Sequence, residues 1–265
     1  MLKELNHDNL NEFIGLIVDG ASPVAVWRFS AKGSLQDVLI SSKMKLDNYF
    51  KYSLIRDLTN GMDYLHDSTL KYHGHLKSSN CLISSRWILQ ISDFGLPFKS
   101  YHSIGSVPKN RLVWTAPEFL RSETIQSGSQ AGDVYSFGII LSEIVTRNLP
   151  FASYKKTTED IVNLVKSGLE PPFRPQFEHM TKSRYMTALI KDCWIEDPKQ
   201  RPDFKHIKFT IKKSNTGRDV SLLDHALRMM ERYATNLEQT MADRTQLLSD
   251  ETDKADHMMY KCLPR

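Results

Sequence analysis

Two short motifs, His73-Gly-His-Leu-Lys-Ser-Ser-Asn80 and Asp93-Phe-Gly95, decide how the rest of this 265-residue chain is interpreted. Two strand-like pieces, residues 81–83 and 88–91, lie between them among polar turns, and such loops are where functional sites usually occur. Taken alone, Asp93 is also consistent with a turn aspartate that bonds its own backbone. The accompanying Phe94, Gly95 and Asn80 favour a functional role over that alternative.

Outward from these motifs, apolar residues recur at helical spacing through most of the chain. Two apolar runs near the start, residues 13–18 and 23–27, are separated by Asp19-Gly20, which predicts a β-hairpin. The sequence therefore predicts a mainly α-helical body, α+β overall, with one small strand-and-loop site. The predicted helices cover residues 35–39, 49–65, 133–145, 158–166, 183–194 and 203–212.

The two ends of the chain differ from this body. Residues 1–5 are typical of the last turn of a helix, so we expect the chain to be cut from a longer protein. Residues 213–220, which include Ser214-Asn-Thr-Gly217, are typical of a linker. Beyond it, apolar residues alternate at spacings of three and four over 221–265, which favours a coiled coil over a single amphipathic helix packed on its own domain. The pattern consists of Leu223, Ala226, Met230, Tyr233, Leu237, Thr240 and Leu247.

Composition excludes several classes of protein. With 40% hydrophobic and 25% charged residues, the chain is not collagen-like, not a disulfide scaffold and not wholly disordered. A net charge of +4 is too mild to indicate a nucleic-acid partner. The three cysteines, Cys81, Cys193 and Cys262, form no CxxC pair, so we expect reduced thiols. We find neither a signal peptide nor an apolar run long enough to cross a membrane.

Four motifs in order resemble the large lobe of a protein kinase, whose set is H-R-D-L-x-x-x-N, D-F-G and A-P-E. Besides the two motifs quoted above, they are Ala116-Pro-Glu118 and Asp133-Val-Tyr-Ser-Phe-Gly138, and Asp197-Pro-Lys-Gln-Arg-Pro202 follows near the end of the body. The resemblance covers residues 1–212 and implies a kinase-like large lobe with a remnant of the small lobe. It begins too late to include the glycine-rich loop or the lysine that anchors ATP.

The resemblance implies a nucleotide site. Asp93 and Asn80 match the positions that hold Mg²⁺ against the nucleotide phosphates, and Mg²⁺ prefers such hard oxygen ligands. The hinge that meets adenine is implied to be Trp27-Arg-Phe-Ser30, so Arg28, Phe29 and Ser30 are the expected cofactor-binding residues. ATP and Mg²⁺ are therefore expected as regulatory ligands. Because Trp27 is bulky and the glycine-rich lid is absent from this sequence, we expect ATP to bind weakly.

The departures from the kinase pattern concern catalysis. His75 stands where kinases place the aspartate that accepts the proton of the substrate hydroxyl, and Gly74 replaces the preceding arginine. We therefore expect no catalytic residue in this loop and no phosphate transfer to protein. Glu118 and Arg201 match an ion pair that pins the activation segment, and Asp133 matches the aspartate that caps backbone amides of the catalytic loop. These matches imply an intact scaffold.

Further details resemble receptor (particulate) guanylyl cyclases. Residues 73–81, 112–120 and 193–202 are similar to their kinase-homology domain, and Asn236-Leu-Glu238, Asp243-Arg-Thr245 and Tyr260-Lys-Cys-Leu-Pro264 are similar to the signalling helix that follows it. The resemblance implies a single-pass receptor whose pseudokinase lies at the cytoplasmic face of the plasma membrane. It also implies a homodimer through 221–263 and a downstream cyclase domain that makes cyclic GMP from GTP.

Three functions stay open on the sequence alone. The first is a pseudokinase relay, in which ATP near Asp93 and Asn80 favours one conformation and the helix after residue 220 transmits it. The second is an active kinase that uses His75 as an altered base. The third is a scaffold that binds no nucleotide.

Overall fold

The computed structural model describes residues 2–18, 23–41, 46–96, 109–122, 128–177, 183–214, 237–242, 244–246, 248–252 and 254. The chain divides into two compact units, Met1–Ser214 and Asn215–Arg265. The first unit contains the motifs and a continuous hydrophobic core.

The first unit begins with a short hairpin. Strands β1 (Phe13–Ile17) and β2 (Val24–Trp27) pair antiparallel, with Phe13 opposite Trp27. The predicted hairpin is confirmed, although its turn lies outside the described residues. The preceding helical turn, Leu2–Glu4, is a 3₁₀ turn closed by a bond from the Leu5 amide to the Leu2 carbonyl.

The predicted helices are confirmed, and their capping residues explain where they begin. Ser34 forms a capping box with Asp37 ahead of α1, and the Asp47 side chain accepts the Phe50 amide ahead of α2. The segment Pro117–Arg121, which the sequence did not predict, forms a further helix with its proline at the first turn. The seven helices among the described residues of this unit are α1 (Leu35–Ile40), α2 (Asn48–Asp67), α3 (Pro117–Arg121), α4 (Gln130–Thr146), α5 (Thr158–Ser167), α6 (Arg184–Cys193) and α7 (Phe204–Ser214).

Helix α4 is the centre of the core. Every residue from Gly132 to Val145 is buried, as expected for a helix that is apolar on all sides. It begins three residues before the predicted start because the Ser129 hydroxyl accepts the Gly132 amide. Helix α4 packs against α6, and α2 packs against α7.

A second hairpin holds the first two motifs together. Strands β3 (Cys81–Ile83) and β4 (Leu89–Ile91) pair antiparallel, with Cys81 opposite Ile91. Leu10 forms a parallel bridge to Ile91, so the start of the chain is joined to the same sheet. Cys81 and Cys193 are buried free thiols, as predicted, and Cys262 lies outside the described residues.

The second unit is helical over the residues described from 237 to 254. Leu237, Met241 and Leu248 on this helix are each more than half exposed. Most of the predicted coiled-coil positions, namely Leu223, Ala226, Met230, Tyr233 and Leu247, lie outside the described residues. Nowhere in the described parts of the chain does a helix have the length and apolar character required to cross a membrane.

Candidate functional site

The β3–β4 hairpin brings Asn80 and Asp93 to the same end of the sheet. Asn80 directly precedes β3, and Asp93 follows β4 by two residues. The Ser92 amide donates to the Asn80 carbonyl at 2.8 Å, so the two segments are in direct contact. Asp93 adopts a positive φ of 63°, a conformation that aspartate tolerates better than most residues. The structure thus places together the two residues predicted to hold a metal.

Asp133, in the first turn of α4, fixes the loop that leads to Asn80. Its two carboxylate oxygens accept the backbone amides of His73 at 2.7 Å and Gly74 at 2.8 Å. The side chain is 1% exposed and also bonds His66 Nε2 at 2.9 Å. A carboxylate with three donors at a helix N-terminus is well stabilised. The role that the kinase resemblance implied for Asp133 is confirmed.

His73 links this loop to the segment that precedes Asp93. Its Nε2 lies 3.0 Å from the Ser92 carbonyl, which can only accept, so Nε2 donates. Its Nδ1 in turn accepts the His75 amide at 3.4 Å. Burial lowers the pKa of His73, so the ring is neutral at pH 7 and this pattern of one donor and one acceptor is satisfied.

The two departures from the kinase pattern both lie in this ordered loop. The His75 ring packs against His73 with centroids 4.7 Å apart, and the His75 carbonyl accepts the Asn80 side-chain amide at 3.3 Å. Gly74 has a φ of 87°, a region that favours glycine. A Cβ at Gly128 would lie 2.5 Å from the Gly74 Cα. The loop is therefore built around glycine where kinases place arginine.

Glu143 ties the same loop to the segment before Ala116-Pro-Glu118. Its carboxyl accepts the Ser78 hydroxyl at 2.8 Å and the Trp114 indole N–H at 2.8 Å. The side chain is 1% exposed, and burial raises its pKa to about 8. The sequence did not identify Glu143. The only signal was a single acidic residue inside the apolar run from Val134 to Val145.

The predicted pair between Glu118 and Arg201 is confirmed. The Arg201 guanidinium bonds both carboxylate oxygens of Glu118 at 2.8 Å, the bidentate geometry that makes such pairs strong. Its remaining N–H groups reach the carbonyls of Ala131, Ile195 and Glu196. Because the Arg201 side chain is fully buried, these bonds fix the start of α3 against α4.

Trp27 lies against the Asp93-Phe-Gly95 turn. Its ring forms an edge contact with Phe94 at a centroid distance of 4.8 Å and a second one with Phe13 at 5.1 Å. Phe94 is completely buried. The sequence predicted Trp27 only as a bulky neighbour of the hinge, whereas the structure shows it in contact with the second motif.

The predicted hinge residues Arg28, Phe29 and Ser30 follow β2 and line a cavity of about 540 Å³. The other walls are formed by the segment 3–12 and by the turn between β3 and β4. Neither Asn80 nor Asp93 lines this cavity. That all five residues contact one ATP molecule therefore stays a prediction.

The residues at Asn80 and Asp93 fit a magnesium ion bound to phosphate. The Asn80 side-chain N–H₂ donates to the His75 carbonyl, so its amide oxygen is left as an acceptor, and the Asp93 side chain is partly exposed. An amide oxygen and a carboxylate are ligands that suit Mg²⁺, which takes its other ligands from water and phosphate. Among the described residues there is no cluster of three or more His, Cys, Asp or Glu that could hold a metal ion by itself.

Comparison with known families accounts for this arrangement. Residues 1–211 match the model of the protein tyrosine and serine/threonine kinase family. The chain belongs to the protein kinase family. The kinase-like chain is similar over its whole length to receptor-type guanylate cyclases, so the resemblance seen in the sequence is confirmed.

The relatives are much longer proteins. The receptor-type guanylate cyclase Gyc76C of Drosophila melanogaster is 43% identical over the whole chain, which covers 18% of that protein. Receptor-type guanylate cyclase gcy-20 of Caenorhabditis elegans is 41% identical over the whole chain and 24% of its own length. Atrial natriuretic peptide receptor 2 of Anguilla japonica is 41% identical over 99% of the chain and 26% of its length. The chain thus spans about a fifth to a quarter of these relatives.

Proposed function

We propose that this chain is the regulatory, non-catalytic kinase-like segment of a receptor-type guanylate cyclase. In this proposal it binds ATP with Mg²⁺ at Asn80 and Asp93 on the cytoplasmic side of the plasma membrane. It pairs with a second copy through 221–263 and passes the nucleotide signal to a cyclase domain of the same protein, which makes cyclic GMP from GTP.

The observation that supports a regulatory role most directly is the loop at His73–Asn80. Asp133 holds its backbone at 2.7 and 2.8 Å, yet His75 replaces the carboxylate that phosphate transfer uses. The His75 imidazole packs against the neutral ring of His73, and no carboxylate stands at this position of the motif to accept the proton of an attacking hydroxyl. The scaffold is retained while the base is absent.

The proposed relay requires that ATP prefer one conformation of the protein over another. His73 and the Ser92 carbonyl join the loop at Asn80 to the turn at Asp93, and Trp27 joins that turn to the β1–β2 hairpin. A ligand bound to Asn80 and Asp93 would therefore affect both the loop that ends at Asn80 and the β1–β2 hairpin. This is the physical basis for a nucleotide signal in the absence of catalysis.

Nucleotide binding is tested with a fluorescent ATP analogue and Mg²⁺, titrated into the chain 1–265. We expect weak binding that requires Mg²⁺ and that Asp93→Ala or Asn80→Ala weakens at least about tenfold, because each removes an oxygen ligand. Asp192→Ala, an exposed aspartate on α6, is the matched control and should bind normally. Equal binding by all four proteins would contradict the proposed site and favour a scaffold without nucleotide.

Catalysis is tested separately with γ-labelled ATP and a general protein substrate. We expect no transfer above that of a sample without protein. Transfer that is lost in His75→Ala but kept in the Asp192→Ala control would establish an active kinase and overturn the regulatory proposal.

Relay and dimerisation need their own measurements. Sedimentation of 1–265 should show a dimer, and removal of residues 215–265 should give a monomer. Placing this chain into Gyc76C in place of the matching segment should leave cyclic GMP synthesis responsive to ATP, and Asp93→Ala should remove that response. Synthesis that is unaffected by Asp93→Ala would contradict the relay.

A further inference from the structure

The cavity beside Phe29 is lined by neither Asn80 nor Asp93, although it contains the predicted hinge residues Arg28, Phe29 and Ser30. We call it the Phe29 groove and define it by three described segments: residues 3–12 as one wall, 28–31 as the second and 84–90 as the third. At about 540 Å³ it is in the range of ligand-binding clefts. The question is which chemistry it would accept.

The charges of the Phe29 groove favour an anionic group. Its lining contains Lys3, Arg28 and Arg86 against Asp8 and Glu12. Arg28 is already neutralised by Glu12 at 2.8 Å. Lys3 and Arg86 have no ion pair among the described residues, which leaves two cations against the single carboxylate of Asp8.

Besides this excess of positive charge, two polar side chains of the groove offer hydrogen-bond donors. His7 Nδ1 accepts the Asn9 amide at 3.1 Å, so its hydrogen is on Nε2, and burial lowers the pKa of His7, which keeps the ring neutral. The Ser84 hydroxyl oxygen accepts the Ile88 amide at 3.2 Å, so its own hydrogen is available to a ligand. Both residues line the groove, and both offer a hydrogen-bond donor to an incoming oxygen.

The apolar part of the lining argues for a peptide and against a free anion. The Phe29 side chain is 87% exposed, an unusual state for an aromatic ring of this size. Leu5 and Ile88, which are both partly exposed, contribute further apolar surface. A polyphosphate would leave these apolar groups uncovered. An acidic peptide can present a carboxylate to Lys3 and Arg86 and an apolar side chain to Phe29.

We propose that the Phe29 groove is a docking site for an extended acidic protein segment that contains an aliphatic or aromatic side chain between two carboxylates. Its cations select the acidic residues, and Phe29 covers the apolar one. The Phe29 groove contains the predicted hinge residues Arg28, Phe29 and Ser30 but neither Asn80 nor Asp93. Peptide binding is therefore measured without nucleotide, and Asp93→Ala, which lies outside the groove, separates a failure of nucleotide binding from a failure of docking.

The test uses the whole chain and defined synthetic peptides. A set of capped, labelled octapeptides contains two glutamates with one leucine or phenylalanine between them, at every spacing, and each has a twin with glutamine in place of glutamate. Fluorescence anisotropy should show binding by members of the acidic set. Binding should weaken several-fold when the salt concentration is raised from about 50 mM to about 300 mM, because exposed charges are screened.

Matched variants locate the binding to the groove. The double variant Lys3→Glu, Arg86→Glu should weaken binding at least about tenfold, because it reverses both charges. Lys156→Glu, Lys199→Glu reverses two exposed lysines elsewhere and should bind as the wild type. Phe29→Ala should weaken binding about fivefold, whereas Phe209→Ala, which removes an exposed phenylalanine from α7, should not. Circular dichroism confirms that each variant is folded.

Three results would overturn the proposal. The first is the absence of any peptide that binds below about 1 mM, the weak end of measurable affinity. The second is equal binding by the glutamine twins or by the Lys3, Arg86 double variant. The third is displacement of bound peptide by inorganic phosphate at similar concentrations, which would identify a small-anion site.

Discussion

Two buried carboxyl groups, those of Asp133 and Glu143, lie near opposite ends of α4, where the helix dipole acts on them with opposite sign. Asp133 and Glu143 are each 1% exposed, and each ties a loop of the site to the core. Asp133 lies in the first turn of the helix and accepts bonds from His73, Gly74 and His66. Glu143 lies near the other end and accepts bonds from two side chains.

The position along the helix explains the difference. The helix dipole favours a negative charge at its N-terminus and opposes one near its C-terminus. Asp133 therefore receives the dipole and two backbone amides, whereas Glu143 receives neither. Burial raises the pKa of Glu143 to about 8, and the bonds from Trp114 and Ser78 offset only part of this effect. The two carboxyls are equally buried, so the donors around each of them make the difference.

Removing the carboxylate of Asp133, at the N-terminus of α4, should have the largest effect on the free energy of unfolding. Asp133→Ala leaves two buried amides and His66 without their acceptor, so we expect a loss of about 4 kcal/mol in the free energy of unfolding. Urea unfolding followed by tryptophan fluorescence measures it. Asp192→Ala, on the exposed surface of α6, should change stability by less than about 0.5 kcal/mol. A loss below about 1 kcal/mol for Asp133→Ala would contradict the claim that Asp133 holds its loop against the core.

The carboxyl of Glu143 should make the free energy of unfolding depend on pH. Since the pKa of Glu143 is about 8 in the folded protein and near its ordinary value of 4.5 in the unfolded chain, the folded state binds one more proton than the unfolded state between these two pH values. Its contribution is complete below the unfolded pKa and is lost as the pH rises toward 8. From pH 5.5 to 8, the wild type should therefore lose about 3 kcal/mol more than Glu143→Gln, which cannot titrate.

The measurement is urea unfolding of both proteins at half-unit steps of pH. All other titrating groups are shared, so the difference between the two curves isolates Glu143. Parallel curves would show that Glu143 is charged when folded and that the two ends of α4 do not differ.

The carboxylate of Glu118 extends the comparison with Asp133 and Glu143, because it is stabilised by the guanidinium of Arg201. Arg201→Met leaves Glu118 and three carbonyls without their donor. Glu118 is 26% exposed and can regain water, so we expect a loss of about 2 kcal/mol, smaller than for Asp133→Ala. The double variant Glu118→Gln, Arg201→Met should recover part of it. A double variant less stable than Arg201→Met would contradict this account.

The smallest effect should come from one donor to Glu143. Trp114→Phe keeps an aromatic ring but removes the indole N–H, and we expect a loss of about 1 kcal/mol. Because that bond favours the charged carboxyl, its removal should raise the pKa of Glu143 further and shift the pH transition upward. Trp194→Phe serves as the control, because Trp194 is equally buried but does not bond Glu143. A downward shift would show that the bond stabilises the protonated form.

Much of the fold could be predicted from the sequence because its signals are local. The apolar period places α2, α5, α6 and α7 to within a few residues, and Ser34 and Asp47 begin helices through their own backbone bonds. Helix α3 was missed because it has only five residues and no apolar stripe. The coiled coil over 221–265 stays a prediction, since most of its defining residues lie outside the described part of the chain.

The site could be predicted where a motif specified it. Asn80, Asp93, Asp133 and the Glu118–Arg201 pair follow from the resemblance, and the structure places Asn80 beside the segment of Asp93. The contacts of Trp27 with Phe94 and of Glu143 with Ser78 could not be predicted, because they join residues 65 or more positions apart. No local pattern encodes such a pairing.

The sequence by itself determined the helices, the order of the motifs and the absence of the catalytic aspartate, because these depend on residue identity and short spacing. Only the tertiary structure decided that burial raises the pKa of Glu143 to about 8 and that Asp133 accepts the backbone amides of a distant loop. Asp133 and Glu143 are both acidic residues of one apolar helix, and their difference arises from the donors that distant segments bring to them. The charge of a buried group is a property of its neighbours, and the neighbours are set by packing.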